Sequence, residues 1–135
     1  MRLIAASSML ALLIPVLTAC GPPSYASAAP AAVTAMTKAI QHYNAGTQTN
    51  LASTAGACRS AQRDLSSASD LANPPSSGSL QPIGDALAHA YNLAMAGFTE
   101  CARADPKLDY PLMAKAEGEI DQANAWLARA RSLDH

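Results

Sequence analysis

The histidines and the carboxylates near them are the first side chains to test for chemistry. His89 follows Asp85 by four residues, a helical spacing that puts both on one face and imitates half of a catalytic dyad. A catalytic pair also needs a pocket and a third group. The apolar pattern leaves this face exposed, so we expect only a surface hydrogen bond. His42 is expected at the edge of a buried stripe, and His135 ends the chain.

No other group of residues has the spacing of a metal, haem, phosphate or hydrolase site. Metal sites in bundles use Glu-x-x-His pairs, and no glutamate here has a histidine at that position. H-E-x-x-H, G-x-S-x-G and C-x-x-C-H are absent from the sequence. Met36, Met95 and Met113 could line a haem or soft-metal pocket, but methionine at helical spacing usually fills a core. We predict no metal, no cofactor and no enzymatic activity.

Cys20 stands directly behind a short apolar segment. Arg2 is the only charged residue before it, and residues 3–17 are almost all apolar or small. A basic start, an apolar stretch and small residues before a cleavage site are the features of a secretory signal peptide. The segment ends in Leu17-Thr18-Ala19-Cys20.

This tetrapeptide resembles the lipobox of bacterial lipoproteins, in which Leu, a small residue, and Ala or Gly precede a Cys. In that family the cysteine sulfur receives a diacylglyceryl group, a type II signal peptidase cuts before it, and the new amino group is usually acylated. The resemblance covers residues 1–20. It implies a signal peptide over 1–19 and a lipid anchor on Cys20 that holds the protein at the extracytoplasmic face of the cell membrane. Two or three acyl chains anchor stably, whereas one is marginal.

Two other interpretations of this segment stay open. A transmembrane helix needs about 20 apolar residues, whereas residues 3–17 form a shorter run that contains Pro15. An ordinary signal peptide cut after Ala19 would leave Cys20 as a bare thiol. The lipid anchor is favoured because the signal pattern and the cysteine coincide.

If Cys20 carries lipid, Cys58 and Cys101 remain as an even pair in an exported chain. Disulfides persist in oxidising compartments. A bond between the two would close a loop of about 44 residues and contribute around 4 kcal/mol in the chain-entropy model. A redox or metal pair is the alternative, but the sequence has no C-x-x-C and no histidine near either cysteine. We predict a structural disulfide.

The composition restricts both the core and the partners. Apolar residues make up 50% of the chain and aromatic residues only 4%. Alanine buries little area, so the helices must approach each other closely. The 9 basic and 10 acidic residues give a net charge of −1 without a basic stripe, so nucleic acid is not expected as a partner.

A flexible tether is expected over residues 20–30, because proline, serine, alanine and glycine dominate there. A helical bundle domain follows over 31–135. Its first apolar stripe includes Val33 and Tyr43 and continues in phase past Gly46. Residues 31–72 could therefore form one bent helix or two, and we favour a continuous or barely interrupted one.

The rest of the domain predicts two more helices. Residues 73–78 contain two prolines and a glycine and should end the preceding helix. The next helix should run from Leu80 to Ala104 with Ser79 as N-cap, and the last from Asp109, as N-cap, to about Leu133. No stretch alternates like a strand, so we predict an all-α, up-down bundle of three or four helices. The expected buried faces contain Ile83, Leu87, Ala90, Tyr91, Ala94, Phe98 and Cys101, and then Met113, Ala116, Ile120, Ala123, Leu127 and Ala130.

Trp126 lies beside the apolar stripe of the last helix rather than on it. It either covers the alanine core or serves as a partly exposed anchor for a partner, since tryptophan is enriched in binding hot spots. With Leu133 it forms the expected contact surface.

We therefore expect a membrane-anchored cell-envelope lipoprotein that acts as a non-enzymatic interaction or structural module, with an envelope protein as partner. It resembles, as a class, the small helical lipoproteins of bacteria. Two alternatives are a binder of a small apolar ligand within the bundle and a superinfection-exclusion lipoprotein of the prophage type.

Overall fold

The computed structural model describes residues 25–47, 51–104 and 109–134. Within these ranges the regular elements are all helical and no strand occurs, which confirms the all-α prediction. The predicted signal peptide, residues 20–24 with Cys20, the predicted turn at 105–108 and His135 lie outside the described residues. The elements are α1 (Tyr25–Thr47), α2 (Leu51–Ser66), a 3-10 helix (Ser69–Ala72), α3 (Gln81–Arg103) and α4 (Tyr110–Leu133).

The first helix begins at Tyr25 and contains Pro30. A proline inside a helix removes one backbone donor and clashes with the preceding turn. Burial offsets this cost, because Ala29 and Ala32 lie in the core and Tyr25 packs against it. Alanine also has the highest helix propensity. The predicted tether is therefore wrong for residues 25–30.

The region 31–72 forms two helices that pack against each other. The preference for a continuous helix is therefore wrong. A single long helix would leave its apolar stripe without a partner, whereas two helices folded together bury their stripes in one core. The continuity of the stripe in the sequence does not distinguish these cases, because both halves face the same core.

The second helix ends at Ser66, earlier than the predicted end at Ala72. The hydroxyl groups of Ser66 and Ser67 donate hydrogen bonds to main-chain carbonyl oxygens three residues earlier, at 2.6 and 2.8 Å. Such side-chain bonds compete with the helical backbone pattern. The 3-10 helix that follows places Leu71 in the core.

Contacts between the helices establish their directions. Cys58 bonds to Cys101, and Gln62 Nε2 donates to Thr99 Oγ1 at 3.2 Å. Residue numbers therefore rise along α2 as they fall along α3, and the two helices are antiparallel.

The α3–α4 pair is antiparallel as well, since His89 contacts Trp126 and Glu100 contacts Lys115. The Tyr43 ring lies 5.7 Å from that of Phe98, near the end of both α1 and α3. The charge of Asp85, near the start of α3, acts on Tyr25 at the start of α1. The α1 and α3 helices are thus parallel, and the four helices form the predicted up-down bundle.

The predicted α3 and α4 agree with the structure to within a residue at each end. The expected Ser79 cap is wrong, because Leu80 occupies the N-cap position without a side-chain cap bond. Gly78 instead turns the chain with a φ of 94°, and the Gln81 amide donates to its carbonyl at 3.2 Å. A positive φ of this kind favours glycine.

A core made largely of alanine requires close helix contacts, and Gly97 provides one between α3 and α4. A Cβ atom at Gly97 would stand 2.8 Å from Ile120 Cγ1 and 2.9 Å from the Ala116 carbonyl oxygen. Among the described residues, the largest fully buried side chains are Phe98, Met36, Leu65, Leu71 and Ile120, beside the two bonded cysteines.

Candidate functional site

The predicted disulfide is present between Cys58 and Cys101. Their Cα atoms are 5.9 Å apart, and both residues are fully buried. The bond joins the middle of α2 to the end of α3 over a sequence separation of 43. Burial of both cysteines inside an apolar cluster fits a structural staple rather than an exchanging redox pair.

His42 lies on the surface, as expected of a boundary residue, and links two helices. Its Nδ1 atom is 2.7 Å from the Asp64 carboxylate. The contact joins α1 to α2, so it stabilises the packing of the two helices. The sequence pattern had favoured a single continuous helix over this region.

His89 does not pair with Asp85 in the described residues. Its imidazole instead stacks on the indole of Trp126, with ring centroids 4.5 Å apart and planes inclined by 21°. Stacking fixes the ring against α4 rather than towards the carboxylate. The expected surface hydrogen bond is therefore wrong, and with it the resemblance to a catalytic dyad has no geometric support.

A cationic side chain also contacts Trp126. The Arg129 guanidinium carbon lies 5.1 Å from the indole centroid, within the range of a cation–π contact. Trp126 itself is half-buried and packs against the core. It thus covers the alanine core and keeps part of its ring at the surface.

Trp126 and Leu133 share one open groove between α3 and α4. The groove has a volume of about 400 Å³. Leu133 is 42% exposed at its end. A smaller hollow of about 210 Å³ adjoins Trp126 on the outer side of α4. The groove is lined by Gln81, Pro82, Asp85, Ala86, His89, Trp126, Arg129 and Leu133.

Tyr25 lies at the same end of the bundle as this groove. Its hydroxyl is buried and has no hydrogen-bond partner among the described residues. Burial, followed by the negative charge of Asp85, raises the pKa of Tyr25 to about 12. Asp85 also lines the groove.

An ion cluster occupies the opposite end. Lys115 Nζ lies 2.5 Å from Glu100 Oε1 and 3.6 Å from Glu119 Oε1. The second carboxylate oxygens of both glutamates are buried and have no hydrogen-bond partner among the described residues. The hydrogen bond with Glu100 is the main reason why the pKa of Lys115 is raised.

Sequence reasoning missed this cluster and the stack of His89 on Trp126. The spacing of four residues between Lys115 and Glu119 could have indicated an ion pair on one helix. The contacts of Glu100 with Lys115 and of His89 with Trp126 form only because α3 packs on α4.

Near the cluster, burial raises the pKa of Tyr43, and the charges of Glu117 and Asp121 add to the effect.

In the described ranges, no three His, Cys, Asp or Glu side chains are grouped so that they could hold a metal ion. None of the described helices has the length and apolar character needed to cross a membrane. A scan against protein-family models and searches of curated proteins and solved structures find no match to the chain.

Proposed function

We propose that this chain is a lipid-anchored cell-envelope protein that works as a non-enzymatic interaction module. Its contact site is the groove face formed by Gln81, Pro82, His89, Trp126, Arg129 and Leu133, here called the Trp126 surface. The observation that carries the proposal is the stacked, half-buried Trp126 beside an exposed Leu133.

The geometry suits recognition because the tryptophan is already held in place. His89 stacks on the indole ring of Trp126, and the Arg129 guanidinium lies over the same ring. An aromatic side chain that is fixed before binding loses little rotamer freedom when a partner arrives. Tryptophan and arginine are also the residues most enriched in binding hot spots.

The location rests on the lipobox pattern at Leu17-Thr18-Ala19-Cys20. The buried Cys58–Cys101 bond supports export, because disulfides persist outside reducing compartments. The same bond joins α2 to α3 in a bundle whose core contains few large side chains. Because it restrains the packing of these helices, it helps to keep the surface of the bundle rigid.

The anchor is tested by metabolic labelling with an alkyne analogue of palmitate. The wild-type chain should incorporate the label, Cys20→Ser should not, and Cys58→Ser should label as wild type does. Equal labelling of Cys20→Ser would end the anchor proposal.

The contact site is tested by photo-cross-linking in intact envelopes. A benzophenone amino acid at Leu133 should cross-link to an envelope component, whereas the same probe at Tyr110 should not. Tyr110 is a matched control because it is 63% exposed at the other end of α4. Equal cross-linking at both positions, or none at Leu133, would contradict the assignment of this surface.

A further inference from the structure

We infer that the Trp126 surface rests on the lipid headgroup layer of the membrane that holds Cys20. The inference depends on the proposed lipid anchor and names the partner of the contact site. It follows from where the groove lies in the bundle, from the short chain between the anchor and α1, and from the chemistry of the exposed side chains.

The groove lies at the end of the bundle where α1 begins. The Tyr43 and Phe98 rings lie 5.7 Å apart near the ends of α1 and α3, and the 3-10 helix packs against both helices. Because α1 and α3 run in the same direction, their first turns lie at the same end of the bundle, and the charge of Asp85 acts on Tyr25 there. The α4 helix runs the other way, and its last turns, with Leu133, share the groove with Pro82 at the start of α3. The Trp126 surface and the start of α1 are therefore at one end.

Little chain separates this end from the membrane. Tyr25 follows Cys20 by five residues, which span at most about 17 Å when extended. The acylated Cys20 would sit in the headgroup region, which is on the order of 6 Å thick on each side of the bilayer. The groove end of the bundle therefore stays near the lipid surface in every orientation that the anchor allows.

A bundle that leans onto its α3–α4 side brings the whole surface to the headgroups. Trp126 and Leu133 are about 10 Å apart along the axis of α4, and Leu133 is the nearer of the two to its end. The two residues, with Arg129 between them, line the same groove. One tilt therefore places all three at similar depth.

The side chains have the chemistry of a membrane interface. Tryptophan concentrates at the headgroup level, where its apolar ring and its N–H group are both satisfied. Leu133 and Pro82 are exposed and apolar. Arg129 can keep its guanidinium among lipid phosphates while its stem stays along the apolar face.

Charge does not supply a strong attraction here. In the groove lining, the positive charge of Arg129 is accompanied by the negative charge of Asp85. A short-range apolar contact of this kind needs the lipid anchor to bring it to the membrane. The surface therefore orients an anchored bundle and does not recruit a detached one.

The experiment uses the sole tryptophan as the probe. The full acylated chain is purified from its membrane and reconstituted into vesicles of phosphatidylethanolamine and phosphatidylglycerol. Phosphatidylcholine with bromine on its acyl chains, either near the headgroup or near the methyl end, is included as a quencher. Flotation of the vesicles reports the anchor, and Trp126 emission reports the contact.

A relocated probe is the matched control. The double variant Trp126→Phe with Tyr110→Trp places the tryptophan about 24 Å away along α4. If this variant does not fold, Trp126→Phe with Arg103→Trp puts the probe at an exposed position of the same far end.

We expect the chain to float, Trp126 emission to fall with the shallow bromine more than with the deep one, and the relocated probe to keep its emission. A floating chain whose Trp126 is not quenched, or whose two probe positions are quenched equally, would overturn the inference. If Trp126 is unquenched and Leu133 cross-links to an envelope protein, the contact site stands and its occupant is a protein. A chain that carries no acyl mass and does not float would remove the anchor, and the inference with it.

Discussion

The imidazole of His89 stacks on the indole of Trp126 at 4.5 Å, which joins α3 to α4 beside the groove. The pair fixes the orientation of the only tryptophan in the chain. It also removes His89 from the role that its spacing to Asp85 suggested. The same contact thus accounts for a rigid surface and for the loss of an apparent catalytic pair.

Loss of the stacked ring should loosen Trp126. We expect His89→Ala to lower the free energy of unfolding by about 0.5–1.5 kcal/mol and to shift Trp126 emission to longer wavelength. Urea unfolding followed by fluorescence measures both. Asn92→Ala is the control, because Asn92 is exposed on α3. Identical spectra for His89→Ala and wild type would show that the stack does not hold the indole.

Reduction of the disulfide should cost a large part of the stability. The Cys58–Cys101 bond closes a loop with a separation of 43 residues. The chain-entropy model assigns about 4 kcal/mol to such a loop. Urea unfolding of the purified chain with and without reductant measures the loss. The variant with both Cys58→Ala and Cys101→Ala should be insensitive to reductant. An unchanged midpoint in the wild type after complete reduction would contradict the prediction.

Stability should fall in alkaline solution because of Tyr25. Its pKa is raised from 10.0 to about 12 by burial and by Asp85. Above the ordinary pKa the unfolded chain loses the phenolic proton while the folded chain keeps it. The unfolded state is therefore favoured increasingly as pH rises from 10 to about 12.

Tyr25→Phe removes a buried hydroxyl that has no hydrogen-bond partner among the described residues, so we expect equal or higher stability at neutral pH. It should also lose less stability than wild type in the alkaline range. The tyrosinate absorbance difference between wild type and Tyr25→Phe should have its midpoint near 12. A midpoint near 10 would mean that the hydroxyl is solvated.

Two glycines should respond to alanine in opposite directions. At Gly97 a new Cβ would stand 2.9 Å from the Ala116 carbonyl oxygen, so α3 and α4 must separate. We expect Gly97→Ala to destabilise the bundle by about 1–3 kcal/mol. Gly118 has nothing within 4 Å of the corresponding position, and Gly118→Ala should stabilise by about 0.5–1 kcal/mol. Thermal unfolding of both variants measures the contrast, and equal effects of the same sign would contradict it.

Local patterns in the sequence were sufficient to predict the helices in which buried residues recur every three or four positions. The faces of α3 and α4 were recognised because a period near 3.6 places those side chains on one side. The pairing of Cys58 with Cys101 was predicted from the expected compartment and the number of cysteines, without any geometry. Trp126 and Leu133 were also identified from their place on the last helix, although the groove that they share was not.

Tertiary packing decided the remaining features. A proline usually breaks a helix, but Pro30 lies inside α1 because Ala29 and Ala32 beside it are buried in the core. The apolar stripe through residues 31–72 keeps the same periodicity in one continuous helix and in two helices folded back on each other. Only the packing of α1 on α2 distinguishes these two arrangements. His89 meets Trp126 across two helices because α3 and α4 pack against each other. The periodic pattern along the chain shows which face of each helix is apolar. Which of these faces meet depends on the fold, because the energy of a contact depends on both partners and a periodic pattern describes only one.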